Sequence, residues 1–170
     1  MSPRKNGNFL MRKRIVSAAQ HNELESDRQW IDLEALAEVE ITSEDPMHPI
    51  ESALIANRNG GWCANKPGRQ MIRLKFSSPQ DIRFIRLEFE EKSVVRTQEY
   101  VLRWAPEYGR ACQEIVRQQW NFNPEGAVTE TEEHEVDLHG CAVLELVIDP
   151  GLSEPAAFAS LKSLQLGRQG

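Results

Sequence analysis

The chain has little of what announces most activities. Its 170 residues hold three cysteines, Cys63, Cys112 and Cys141, scattered and odd in number. Such a set builds no disulfide framework and fits free thiols in a reducing cytoplasm, which is the expected location. No apolar run approaches the ~18–20 residues of a membrane span; the stretches are as short as Cys141-Ala142-Val143-Leu144. The basic start is followed by Ile15-Val16-Ser17-Ala18-Ala19 and then Gln20-His21-Asn22, which is not the apolar core of a secretory signal. No membrane partner is therefore expected. The sequence has no Gly-x-Ser-x-Gly elbow, no phosphate-cradling Gly-x-x-x-x-Gly-Lys and no His-Glu-x-x-His. It also has no internal repeat and no low-complexity linker.

What is present is a balanced composition with an unbalanced distribution. Apolar residues make up 40% and charged residues 27%, the range of a folded domain rather than a disordered chain. The length is that of one domain with a sufficient core. The net charge of -6 conceals two parts. Residues 1–14 hold Arg4, Lys5, Arg12, Lys13 and Arg14 and no acid, whereas the rest of the chain holds 15 bases against 26 acids, a net of -11. The expected organisation is a flexible basic arm over residues 1–28 and one domain over 29–170. An acidic body repels nucleic-acid phosphates, so any nucleic-acid contact would run through the arm.

From residue 70 onward the pattern has period two. Ile72, Leu74 and Phe76 alternate with Arg73 and Lys75, and Ile85, Leu87 and Phe89 alternate with Arg86, Glu88 and Glu90. Strands are expected over 70–76, 82–90, 98–105, 112–122, 130–138, 142–148 and 161–166. Turn residues such as Ser77-Ser78-Pro79 and Pro106-Glu107-Tyr108-Gly109 separate them. Trp30–Ala37 reads as a helical turn or extended lead-in to a strand near 38–42. Ile50–Ala56 reads as one helical turn after the Ser43–Pro49 loop. Short half-buried strands without regular intervening helices indicate an all-β fold, an antiparallel sandwich or barrel.

The order of segments resembles the galactose-binding-like jelly roll, the β-sandwich of discoidin (coagulation factor type C) domains and many carbohydrate-binding modules. The residues carrying the resemblance are Val39-Glu40-Ile41-Thr42-Ser43-Glu44, Pro49-Ile50-Glu51-Ser52-Ala53-Leu54 and Asn59-Gly60-Gly61-Trp62. They continue through Gly68–Phe76, Pro79-Gln80-Asp81-Ile82, Tyr100-Val101-Leu102-Arg103-Trp104 and Leu164-Gln165-Leu166-Gly167. The resemblance implies ligand binding by loops at one end of the sandwich, here Ser43–Pro49, Asn57–Pro67 and the Ala105–Arg110 turn. Many members hold a structural calcium ion between the loop before the tryptophan and a carboxylate in the last strand. Here that loop offers Asn57 and Asn59 but no Asp, and Lys162 falls at the carboxylate's place. Calcium prefers charged carboxylates among six to eight oxygens, so no cofactor is expected.

Trp62 follows two glycines, which permit a tight loop. It either plugs the edge of the core or stacks on a sugar ring. Trp104 and Trp120 lie in strand patterns and read as core. Tyr108, in a turn beside Arg110, is a candidate exposed aromatic. Asn57, Arg58, Asn59, Asn65, Lys66 and Arg69 surround Trp62, the composition of a small polar-ligand site. A metal site at His134, His139 and Cys141 is disfavoured, because alternation turns residue 134 away from 139 and 141. The expectation is a non-catalytic binding module for carbohydrate, using Asn57, Arg58, Asn59, Trp62, Arg69 and Tyr108. The alternative is an intracellular protein-interaction module resembling the amino-terminal domain of a DNA single-strand-break repair scaffold. An enzyme is the third class, and no motif supports it.

Overall fold

A computed structural model describes residues 28–151 and 156–170. Residues 1–27 of the expected arm lie outside the described residues. Arg28, expected at the arm's end, instead opens a strand. The elements are β1 (Arg28–Trp30), α1 (Leu33–Leu36), β2 (Ala37–Ile41), α2 (Glu51–Leu54), β3 (Trp62–Pro67) and β4 (Gln70–Glu90). They continue with β5 (Arg96–Ala105), β6 (Gln113–Phe122), β7 (Thr129–Asp149), β8 (Phe158–Leu161) and β9 (Ser163–Gln169). The all-β expectation holds: the two helices are single turns, and α1 is capped by Asp32, whose carboxylate accepts from Ala35 N at 3.2 Å.

Two pairs of expected strands fuse. The segments 70–76 and 82–90 are the halves of β4, and 130–138 and 142–148 fall within β7. The two long strands stay antiparallel partners along their length, with register shifts only between Lys75 and Phe84. The Ser77–Asp81 segment is therefore a bend within a ribbon rather than a hairpin turn. Pro79 costs no ladder bond there, because no pairing joins Lys75↔Val143 to Gln80↔Cys141. Gly140 adopts φ +66 at the same bend, and its N–H donates to Asp81 Oδ1 at 2.8 Å. The buried row changes parity between Ile82 and Ile85, as a bulge requires.

The bend makes the sandwich. The first half of β4 pairs with β2 and with the second half of β7, which continues to β5 and β6. The second half of β4 pairs with β9, which continues to β1, and with the first half of β7. The two layers face each other across Ile72, Leu74, Leu102 and Leu146 on one side and Ile85, Leu87 and Leu164 on the other, all buried. Aromatic rings bridge them: Phe89 lies 5.4 Å from Tyr100 and 4.9 Å from Trp120. β3 and β8 form a separate two-stranded ribbon over one end.

Truncating Phe89, which is buried and touches two rings of the opposite layer, removes packing on both sheets. Phe89→Ala is expected to cost about 3–5 kcal/mol, read as a lowered urea midpoint; a loss under 1 kcal/mol would refute this account of the core.

His134, on the inward row of β7, lies 2.5 Å from the Tyr100 hydroxyl through Nε2. Burial pushes its imidazole below the ordinary 6.5 and pushes the Tyr100 phenol up. The unfolded chain thus binds the His134 proton first, so stability should fall as pH drops below about 6.5. Urea midpoints measured from pH 7.5 to 5.5 should decline in the wild type and decline less in His134→Asn; parallel declines would exclude His134 as the source.

Candidate functional site

The ladder decides which loops share an end. Gln70 pairs with Ile148, Ile41 with Ile72, Arg96 with Phe122 and Glu90 with Thr129. The loops after β2, before β3 and between β4 and β5 therefore emerge together. Tyr108 does not join them. Its hydroxyl donates to the Phe76 carbonyl oxygen, six residues from Gln70, about 20 Å along the strand. The Ala105–Arg110 turn thus belongs to the opposite end, and Tyr108 cannot share a site with the Trp62 loop.

Trp62 is fully buried. Its indole Nε1 donates to the Ser43 carbonyl at 3.2 Å, pinning the Ser43–Pro49 loop onto the core. The plug reading is the one the structure adopts, and the stacking role expected for Trp62 is corrected: a ring with no exposed face cannot meet a ligand. Gly61 explains the close packing. At φ +66, a Cβ on it would stand 2.6 Å from the Leu161 carbonyl oxygen.

The Ser43–Pro49 loop is held from both sides. Gln70 Oε1 accepts from Thr42 Oγ1 at 2.6 Å and Ser43 Oγ at 2.7 Å. Asp45 accepts from Met47 N at 3.0 Å and contacts His48 Nδ1 at 3.0 Å. The Met47 N–H and then His48 hold its carboxyl below the usual range. Backbone bonds Asp45 N to Cys63 O at 2.8 Å and Cys63 N to His48 O at 3.2 Å join this loop to β3. Burial raises the Cys63 thiol, which disfavours a nucleophilic thiolate.

The other wall is organised by Arg96, whose side chain is 2% exposed. Its guanidinium donates to the carbonyls of Pro150 at 3.1 Å and Phe158 at 2.9 Å, and pairs with Glu91 at 2.9 Å. Glu91 in turn accepts from Ser93 N at 2.8 Å and Val94 N at 3.1 Å. One buried cation therefore sets the β4–β5 loop against the start of β8.

Between these walls lies a cleft of about 590 Å³, lined by His48, Glu90, Lys92, Ser93, Phe158, Ser160 and Lys162 among others. Phe158 is half-exposed. Lys162 pairs with Glu88 and Glu90 at 3.1 Å each, and Lys92 with Glu90 at 2.5 Å. These lysines hold the Glu90 carboxyl below its ordinary value. The cleft thus combines one apolar ring with a rim of fixed charges and hydroxyls.

The expected residues scatter around this site. Asn57 and Arg58 are exposed on the far flank of the same loop and line a different cleft, along the sandwich edge. Asn59 is exposed beside them. Arg69 is exposed and reaches Asp149 at 3.7 Å. Sequence reasoning missed Phe158, His48 and Lys92 as cleft residues. One signal was available: in Phe158-Ala159-Ser160-Leu161 the small Ala159 is the buried partner of Leu161, so the pattern turns the large ring outward.

The residues do not fit calcium. Lys162 stands where the resemblance implies a carboxylate, and among the described residues no cluster of three His, Cys, Asp or Glu is placed to hold a metal. His139 contacts Asp137, His134 contacts Tyr100 and Cys141 contacts the Val143 carbonyl, three separate partnerships.

The close approach at Gly61 has a measurable consequence. Gly60 also has positive φ, but a Cβ there meets open space. Gly60→Ala should cost about 1–2 kcal/mol for the backbone alone, and Gly61→Ala distinctly more. Thermal melts of the two variants compare them, and equal shifts would contradict the packing of this loop on β8.

No protein-family model and no curated protein sequence matches the chain. Solved structures do. The family 32 carbohydrate-binding module of Clostridium perfringens NanJ, in complex with galactose, superposes with a TM-score of 0.61 at 15% identity, covering 83% of this chain and 99% of that one. A second Clostridium perfringens module of that family, in complex with GalNAc-β-1,3-galactose, gives 0.58 at 17% identity, covering 81% and 99%. Reduced XRCC1 bound to the DNA polymerase β catalytic domain gives 0.59 at 13% identity, covering 81% and 97%. At these identities the likeness is one of fold: the chain has the antiparallel β-sandwich fold of the family 32 carbohydrate-binding modules.

Proposed function

We propose that this protein is a non-catalytic carbohydrate-binding module whose site is the loop-end cleft. The observation that carries the reading is Phe158: a half-exposed ring inside a polar cleft, with its own carbonyl anchored by the buried Arg96. A flat aromatic covers the C–H face of a pyranose, while surrounding polar groups bond its hydroxyls. His48, Ser93, Ser160 and Lys92 supply those groups around the ring. The likeness to modules solved with galactose and GalNAc-β-1,3-galactose supports the ligand class. The -11 body favours neutral sugars over polyuronates. The expected cytoplasmic location rests on three thiols, all free in the fold.

A protein-interaction reading draws support from one feature. β6 ends the sheet order, and its outer edge carries neither proline nor lysine to discourage strand addition. A stoichiometric protein partner whose binding is lost on placing a proline in β6 would favour it.

Calorimetric titration with galactose and with GalNAc-β-1,3-galactose tests the main reading. Binding at millimolar or tighter affinity is expected, weakened at least about tenfold by Phe158→Ala and unchanged by Tyr108→Ala. No binding of either sugar, or wild-type affinity in Phe158→Ala, would sink it.

A further inference from the structure

We propose that the cleft along the sandwich edge is a second, separate binding site for a neutral, hydroxyl-rich ligand, a sugar residue. This goes beyond the loop-end reading, because the two clefts share no lining residue and merely flank the same 55–62 loop. The edge cleft measures about 620 Å³, with the β1–α1 segment on one wall, α2 and the following loop on the other, and β9 below.

Its aromatic is Trp30. The indole lies against β9 at Gly167, where a Cβ would stand 3.4 Å from Trp30 Cε3. Glycine at 167 lets the ring settle on the backbone while 37% of the residue stays open. Arg86 reaches the ring at 5.1 Å. The indole is thus held in place as a surface rather than free to swing.

Three polar side chains of this cleft are unspent. Asn57, Arg58 and Gln165 line it, and among the described residues none of their side chains makes a hydrogen bond or ion pair within the protein. Of the carboxylates in the lining, Asp32 caps α1 through Ala35 N and Glu88 pairs with Lys162, so these three are the donors left for a ligand. Asn57 is also the sole non-glycine with positive φ among the described residues, at 68°. Asparagine adopts this left-handed region readily, and the turn it makes sets Asn57 and Arg58 at the cleft.

The charge selects the ligand class. Asp32 and Glu34 line the cleft with the cation Arg58, and Glu88, also in the lining, is offset by Lys162 at 3.1 Å, which leaves a slightly acidic site. Carboxylates accept hydrogen bonds from hydroxyls and repel anions, whereas amide and guanidinium groups donate to hydroxyl and ring oxygens. A neutral pyranose stacked on Trp30 satisfies both sets, and a uronate or phosphate does not.

The test is an NMR titration of the full chain, labelled with 15N, against galactose and N-acetylgalactosamine up to about 100 mM. The Trp30 indole N–H and the Asn57 and Gln165 side-chain amides should shift on a saturable curve. Trp30→Ala and Arg58→Ala should each weaken that curve about tenfold or more and leave the loop-end resonances titrating as in the wild type. Arg58 is exposed, so its variant keeps the readout interpretable if Trp30→Ala loosens β1. Phe158→Ala should abolish the loop-end curve and spare the edge curve, which separates failure of this site from failure of the other. Unmoved edge resonances with either sugar, or an edge curve indifferent to Arg58→Ala, would overturn the proposal.

Discussion

Everything in this fold depends on β4 and β7 remaining paired while they bend. A pair of long strands that crosses from one layer to the other supplies the central strands of both layers from one ladder. The hydrophobic effect provides the reason to bend. Each half buries one face, and folding the ribbon brings those faces together around Phe89, Tyr100 and Trp120. The bend is built from Pro79 and Gly140, which occupy the stretch where the ladder is interrupted and so cost little. Every later element is placed relative to that ribbon: β5 and β6 continue one layer, β9 and β1 the other, and the α1–α2 turns close the edge between β2 and β9.

The loop end is organised by buried groups rather than by the exposed ones. Trp62 pins one loop to the core, Gln70 ties Thr42 and Ser43, and Arg96 fastens Glu91, Pro150 and Phe158. A buried guanidinium is costly unless neutralised and fully bonded. Glu91 and two carbonyls meet most of that requirement, although Nε remains without a partner. The arrangement trades stability for position, since replacing it with apolar packing would leave Phe158 and the β4–β5 loop without a common anchor. Rigid supports of this kind reduce the entropy lost when a ligand binds.

The strands were legible in the sequence because period-two alternation reports burial directly. Ile72, Leu74 and Phe76, then Ile85, Leu87 and Phe89, read as inward rows and are inward rows. The fusion of adjacent strands was not legible. Ser77-Ser78-Pro79 looks the same in a hairpin turn and in a bent ribbon, and only long-range pairing with Gln80↔Cys141 distinguishes them. The candidate site was legible in part. The loop before Trp62 does lie at the end that holds the Phe158 cleft, yet its aromatic turned inward and its polar residues turned to the other flank. Phe158 went unnoticed because a single outward ring in a four-residue strand is a weak local signal.

The sequence alone determined the all-β class, the inward rows, the acidic body and the poverty of catalytic motifs. These depend on composition and nearest-neighbour periodicity, which chain position preserves. Tertiary structure alone decided that Trp62 is core, that Tyr108 stands at the opposite end, and that Phe158 and Trp30 present rings beside polar clefts. Those outcomes turn on which distant strands pair and in what register, as when Trp62 meets Leu161 and Trp30 meets Gly167. A residue's exposure is a property of the partner laid over it, and the partner lies more than a hundred residues away in one case and nearly that far in the other.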